Sequence, residues 1–210
     1  MNPEKPQGRG QQADPENRLE RREQILNSAQ ACFDARGFHA TSTLEISKAA
    51  GISSAGLYHY FSSKDELIGA LIERELKRVL SKMDALKHAD DFFAELEDFY
   101  YQISTEELKG FSLGLRIESF ALATRSKPIA KIVDKVNTTF LHELVQVVEN
   151  AQRLNQVDPT LDPKLTAAAI MNITWGFFTQ MCRPENTRAD YLFVTMNLLK
   201  AGLSTKQQKA

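Results

Sequence analysis

The amino-acid sequence predicts an all-α protein, and three observations carry that expectation. Apolar residues recur at helical spacing along nearly the whole chain, strand-like alternation is absent, and glycine and proline fall between the periodic segments. The length of 210 residues suits one large domain or two small ones, and 42% hydrophobic with 25% charged residues is the balance of a chain that buries a core.

The elements follow in order. A first helix is expected from about Asn17 to Ala35, with Ile25, Ala29, Cys32 and Phe33 as its buried stripe and Gly37 as its C-terminal cap. Ser42-Thr43-Leu44-Glu45 reads as a capping box, in which the Ser42 hydroxyl accepts from the Glu45 amide and the Glu45 side chain reaches back. It opens a short helix that Gly51 ends. Ser53 caps the next helix, Ser54 to Tyr60. Ser63-Lys64-Asp65-Glu66 reads as a second capping box, starting a long helix through Leu67, Leu71, Glu75 and Val79 to about Met83.

The remaining chain reads as helices over Asp91–Ile103, Glu106–Arg125, about 128–153, 163–183 and about 188–203. Pro128 and Pro163 stand at first helical positions, the second after an aspartate cap, and Arg183-Pro184 closes the fourth of these helices. Domain boundaries are expected as a polar arm over 1–17, a first helical domain over 18–80, a second helical domain over 81–203, and a tail over 204–210. The junction then lies inside the helix 63–83, which couples the two parts mechanically.

Composition excludes several classes. No apolar run reaches the roughly 18 residues of a membrane span, and the polar N-terminus lacks the apolar stretch of a signal peptide. A cytoplasmic protein without a membrane role is therefore expected. Cys32 and Cys182 stand far apart and form no metal-ligand spacing, so they read as small reduced hydrophobes. No metal site and no cofactor is expected. A net charge of −1 is not a general electrostatic footprint for nucleic acid, so any DNA contact has to come from local arrangement.

That arrangement is present. Two short helices joined by a turn at Gly51 match a helix-turn-helix. In this geometry the second helix enters the major groove with its N-terminal residues foremost. Ser53, Ser54, Ala55 and Gly56 then face the bases, and their small size lets the backbone approach closely. Tyr58 and His59 follow one turn on, Tyr60 beside them, and Lys64 opens the following helix at a phosphate. Thr43, at the start of the first short helix, is placed for the backbone of the flanking groove. Each residue alone has a plainer reading: Phe61 as a core aromatic, Tyr60 as either, His59 as an ordinary surface or core residue, Lys64 as a solvated cation. The combined pattern makes the case.

These residues resemble the N-terminal domain of the TetR family of transcriptional regulators, with the match running from about Arg21 to Glu75. The segment from Gly51 to Leu67, with Leu57-Tyr58-His59-Tyr60-Phe61 and Lys64, is its most specific part. The resemblance implies a homodimeric repressor that binds a double-stranded DNA operator, with a divergent C-terminal helical domain for an inducer and the dimer contact. It assigns DNA contacts to Thr43, Ser54, Ala55, Gly56, Tyr58, His59, Tyr60 and Lys64. Ser54 stands where the family often has a longer polar side chain or proline. Operator choice is therefore expected to lean on DNA shape and backbone contacts.

In the second part, the helix 163–183 is apolar nearly all round. Ala169, Asn172, Ile173, Gly176 and Gln180 share a face of small or polar residues, assigned to the dimer seam. Met171, Trp175, Phe178 and Cys182 lie opposite and face inward. Leu192, Met196, Leu199 and Leu203 repeat along the last helix, either in a four-helix interface between subunits or packed within one. A ligand pocket is expected among the helices beginning near Asp91, Glu106, Pro128 and Pro163. Phe92, Phe99, Phe111, Leu115, Phe120, Phe140, Met171, Trp175 and Phe178 are its candidate linings, although aromatics at helical spacing are more often plain core. Glu118 shares a stripe with Phe111, Leu115 and Leu122. Its carboxylate pairs with an arginine such as Arg116 or Arg125, stays exposed at the edge, or anchors a bound effector, the first two being the plainer choices. Asn137 and His142 are weighed in the same way. A small apolar or aromatic effector is the expected class.

No constellation supports an enzyme: there are no paired histidines at metal spacing, no glycine-rich phosphate loop after a strand and no nucleophile motif. A helical adaptor that binds protein is the other alternative, and operator binding separates it from a regulator.

Overall fold

The computed structural model describes residues 15–104, 113–180 and 188–205. Among the described residues the chain forms nine α-helices and no strand, as its apolar spacing requires. The chain divides into two compact units, Met1–Lys64 and Asp65–Ala210.

The first unit holds α1 (Pro15–Ala40), α2 (Thr43–Ala49) and α3 (Ser54–Tyr60). Helix α1 runs further than Ala35. Gly37 interrupts it at φ +76°, and helical structure resumes as far as Ala40. Glycine supplies that left-handed backbone without a Cβ penalty. The buried stripe of α1 is Ile25, Leu26, Ala29, Phe33 and Phe38, with Cys32 only half-buried at its side. Phe33 and Phe38 meet edge to face across the Gly37 break at 5.0 Å. The Arg22 guanidinium lies 4.8 Å from the Phe61 ring, and Phe61 is core.

The second unit contains α4 (Lys64–Lys87, which starts at the unit boundary), α5 (Phe92–Ser104), α6 (Leu113–Ala123), α7 (Lys127–Arg153), α8 (Pro163–Gln180) and α9 (Arg188–Leu203). Helix α4 extends beyond the expected Met83 because Met83 and Leu86 both enter the core. Helix α7 begins one residue before Pro128, with Ser126 as its N-cap. Asp162 caps α8 as expected, its Oδ1 accepting the Leu165 amide at 2.8 Å. The expected end of α8 at Arg183-Pro184, residues 105–112 of the expected sixth helix, and Cys182 lie outside the described residues.

The core of this unit gathers side chains from the end of α4 and from α5, α7, α8 and α9, among them Phe92, Leu96, Tyr100, Val148, Ile170 and Phe177. Met196, Leu199 and Leu203 belong to it, so the apolar repeat of the last helix packs within the chain. The outward side of α9 carries Phe193, Val194 and Leu198 instead, all more than half exposed. On α8, Ala169, Asn172, Ile173 and Gly176 are exposed together with Leu165, while nothing is described of the Gln180 side chain.

Side chains join α4 to α7 in the same order along both helices. Ser126 donates to Asp65 at 2.7 Å, Lys135 to Glu73 at 2.9 Å, and Lys87 pairs with Glu143. Between the first two, Gly69 comes so close to Ile132 that a Cβ would stand 2.3 Å from its Cδ1.

Candidate DNA interface and effector cavity

The helix-turn-helix is set by backbone groups that polar side chains satisfy. Short helices leave most of their end groups without intrahelical partners, so their caps decide whether they form. At the start of α2 the capping box is complete: the Ser42 hydroxyl accepts from the Glu45 amide at 3.2 Å, and the Glu45 carboxylate accepts from the Ser42 amide at 2.8 Å. The same carboxylate pairs with Arg36 of α1. Just before it, the buried Thr41 hydroxyl lies 2.8 Å from the Gly37 carbonyl and 3.1 Å from that of Cys32, tying the loop back to α1.

At the other end of α2, Gly51 adopts φ +64°. Its amide donates to the Lys48 carbonyl at 3.1 Å, and the Ile52 amide donates to the Ser47 carbonyl at 3.0 Å. This is a Schellman motif, which stops the helix and redirects the chain. Two residues later the Ser53 hydroxyl accepts from the Gly56 amide at 3.0 Å and starts α3.

The structure brings several of the predicted DNA-contact residues to one polar surface. The Thr43 hydroxyl and the Tyr58 phenol share a hydrogen bond at 3.2 Å, which joins the start of α2 to the middle of α3. Tyr58 is half exposed, at 51%, unusually open for an aromatic with an apolar body. His59 is exposed, and its ring meets Tyr60 edge-on at 5.5 Å. Ser53 and Ala55 are also exposed, while Thr43, Gly56, Tyr60 and Lys64 are half-buried. Ser54 turns toward α2, where its hydroxyl lies 3.5 Å from that of the buried Ser47. A Cβ at Gly56 would meet the Ser53 hydroxyl at 3.2 Å, so the cap itself favours glycine there. No acidic residue occurs between Ile46 and Ser63, and the neighbouring Glu45 is engaged by Arg36. Such a surface accepts phosphate without like-charge repulsion.

The second unit contains a cavity of about 100 Å³ walled by α4, α5, α6, α7 and α8. Phe99, Phe120, Phe140, Met171 and Trp175 line it, in agreement with their sequence assignment, and Asn137 joins them. Phe120 and Trp175 meet edge to face at 4.7 Å. Phe92 and Leu115 are buried but do not line the cavity, because their helix positions turn them elsewhere. Glu118 is half-buried and also off the cavity, and His142 is exposed beside Glu143. Phe111 and the Phe178 side chain lie outside the described residues.

Arg116, one of the two arginines considered for Glu118, pairs with a carboxylate of another helix. Arg116 pairs with Glu75 of α4, which is buried, and both line the cavity. Arg78 grips the same carboxylate from the next turn, with Nε 3.0 Å from Oε2 and Nη2 2.9 Å from Oε1. Burial pushes the Arg116 guanidinium below the usual arginine range while Glu75 pulls it back up; arginine stays charged in either case. One signal for this cluster is present in the sequence: Arg116 interrupts the otherwise apolar run Leu113–Ile117. Its partner lies 41 positions away, beyond any local pattern.

Behind the cavity wall, the Tyr100 phenol shares a 2.6 Å hydrogen bond with Thr174, whose hydroxyl also lies 2.7 Å from the Ile170 carbonyl. Burial pushes the Tyr100 phenol up to about 12, and the Thr174 bond lowers it by less.

Comparison with known proteins agrees with this geometry. Residues 25–71, which span α2 and α3, match the family described as bacterial regulatory proteins, tetR family. The chain is 28% identical over 155 residues to the HTH-type transcriptional regulator UidR of Escherichia coli strain K12, covering 74% of this chain and 78% of that one. It is 26% identical over 156 residues to the HTH-type transcriptional repressor KstR2 of Mycobacterium tuberculosis, with the same shares covered. Among solved structures, Salmonella enterica GusR superposes with a TM-score of 0.77 at 25% identity, over 91% of this chain and 98% of that one. The structure of SmeT with triclosan has the same fold, with a TM-score of 0.68 at 20% identity over 89% and 93% of the two chains. That family consists of regulators and not enzymes, and none of the described helices is long and apolar enough to cross a membrane. The chain thus carries the tetR-family domain of bacterial regulatory proteins over residues 25–71, with a capped helix-turn-helix inside it and a helical unit following it in the chain, and these likenesses support a TetR-family DNA-binding transcriptional regulator.

Proposed function

We propose that the protein is a homodimeric repressor that leaves a palindromic operator when a small apolar or aromatic effector fills the cavity of its second unit. The observation that carries this reading is the continuity of α4. It begins at Lys64, separated from α3 only by Phe61, Ser62 and Ser63, and two turns later it supplies Ile72, Glu75, Leu76 and Val79 to the cavity wall. A ligand that prefers one setting of α4 shifts the population of DNA-binding arrangements by its differential affinity for the two states. Two recognition helices about one DNA turn apart match a palindromic site, so a change in their separation releases it.

Dimerisation is supported by the exposed apolar residues Leu165 and Ile173 of α8 and Phe193, Val194 and Leu198 of α9, two helices that pack against each other. Thr43, Ser53, Ala55, Gly56, Tyr58, His59, Tyr60 and Lys64 form the proposed operator surface. Within it, Ser54 acts on the α2–α3 junction through Ser47.

The test is a gel shift with the DNA upstream of the protein's own gene, at low salt and again at physiological salt. A shift by the dimer that weakens at least about tenfold in Tyr58→Ala is expected, the scale of one or two lost polar contacts. A normal dimer that gives no shift at low salt overturns the repressor reading.

A further inference from the structure

Two buried hydroxyls line the cavity, Ser119 of α6 and Thr174 of α8, only 4% and 6% exposed. A hydroxyl has one proton to give and two lone pairs that accept. Where the single proton goes decides what each group offers to a ligand. The Ser119 hydroxyl donates to the Leu115 carbonyl one turn back along α6, at 2.7 Å. The Thr174 hydroxyl lies 2.7 Å from the Ile170 carbonyl and 2.6 Å from the Tyr100 phenol. A carbonyl can only accept, so the arrangement that uses both of these contacts runs one way: Tyr100 donates to Thr174, and Thr174 donates to Ile170.

Both protons are thereby committed inside the protein. Thr174 keeps one lone pair and Ser119 keeps two, and among the described residues no donor reaches the Ser119 oxygen. A buried acceptor without a donor is costly, so a ligand that brings an O–H to it gains a hydrogen bond that a ligand without one does not. Asn137, on the α7 wall, carries both a donor and an acceptor and accommodates such a ligand without selecting it. Each hydroxyl is next in the chain to one of the two rings that meet edge to face at 4.7 Å, Ser119 to Phe120 and Thr174 to Trp175. The same turns of α6 and α8 therefore present the acceptors and an aromatic wall, which suits a ring bearing the donor.

We propose that the cavity takes a small phenol, its hydroxyl donating to Ser119 Oγ and its ring among Phe99, Phe120, Phe140 and Trp175. This inference rests on the reading of the cavity as the effector site and adds the functional group by which the effector is recognised.

The test uses the full chain and three probes that share one ring, titrated calorimetrically at neutral pH. 4-Ethylphenol donates, 4-ethylanisole carries an ether that only accepts, and 1-ethyl-4-fluorobenzene lacks the donor without added bulk. The phenol is expected to bind at least about fivefold tighter than either of the others, the scale of one net hydrogen bond. Ser119→Ala is expected to bring that preference to within about twofold while leaving the affinity for the fluorobenzene within about twofold of the wild type, a split that a merely structural role would not produce. Alanine is the better helix former, so α6 should keep its fold. Equal or tighter binding of the ether or the fluorobenzene overturns the inference, as does a phenol preference that survives in S119A. If S119A does not fold, the wild-type comparison of the matched probes still decides. A fluorobenzene that binds best and also weakens the operator shift leaves the effector reading standing and removes only the donor. If no probe binds the folded protein, the inference falls, while the gel shift judges the regulator separately.

Discussion

The turn between α2 and α3 and the wall between α4 and α6 are both held by polar groups, but by opposite means. At the turn, partners lie within a few residues: Ser42 with Glu45, Gly51 with Lys48, Ser53 with Gly56. At the cavity wall they lie far apart in the chain, as Glu75 with Arg116 and Tyr100 with Thr174. The first kind of bond shapes backbone and presents a surface to solvent. The second kind sits at low dielectric, where losing one partner is costly and a ligand with the right charge has leverage. Under the proposed function this division suits a regulator, because a recognition surface has to stay constant while an effector site has to respond.

The sharpest way to break the comparison is Glu75→Ala. It leaves Arg78 and Arg116 facing each other in a buried site and is expected to cost about 3–5 kcal/mol, the range for breaking a buried ion pair. Urea denaturation measures it. Arg116→Ala should cost clearly less, because Glu75 keeps Arg78, and an equal loss for both would show that the cluster is not organised around Glu75.

A smaller effect is expected at the turn. Gly51→Val forces a β-branched residue to φ +64°, where a non-glycine residue is strained by about 1–2 kcal/mol. Space is not the obstacle, since nothing lies within 4 Å of an added Cβ. Operator binding should fall more than helix content measured by circular dichroism. If both fall together, the turn supports the whole unit and not only the pose of α3.

The smallest effect is expected at Tyr100. Its folded-state value of about 12 lies above the ordinary tyrosine value of 10.0, so its contribution is present in full below pH 10 and is lost as pH rises toward 12. Tyr100→Phe should cost about 1 kcal/mol at neutral pH, the net worth of one hydrogen bond. It should also flatten the alkaline decline of stability between those two values. An unchanged alkaline profile would assign that decline to other groups.

The two regions differed in legibility for the same reason. Ser42, Glu45, Gly51 and Ser53 act on backbone within one helical turn, so their spacing states their function. The aromatic lining was partly legible, since Phe99, Phe140, Met171 and Trp175 stand on stripes that must face inward. Phe92 and Leu115 stand on similar stripes yet face other neighbours, because a stripe gives a direction on one helix and not the element opposite. Glu118 stood out as a carboxylate on an apolar stripe, but among the described residues the carboxylate that reaches the cavity is Glu75. In α9, Met196, Leu199 and Leu203 follow the same rule and pack inside, which leaves Phe193, Val194 and Leu198 as the outer face.

By itself the sequence determined the helical class, the starts and stops of the short helices and the position of the recognition helix, because these depend on contacts within about four residues. Only the tertiary structure decided that Glu75, Arg116 and Asn137 line one cavity. Their association depends on how α4, α6 and α7 pack, and long-range packing couples residues that no local period connects.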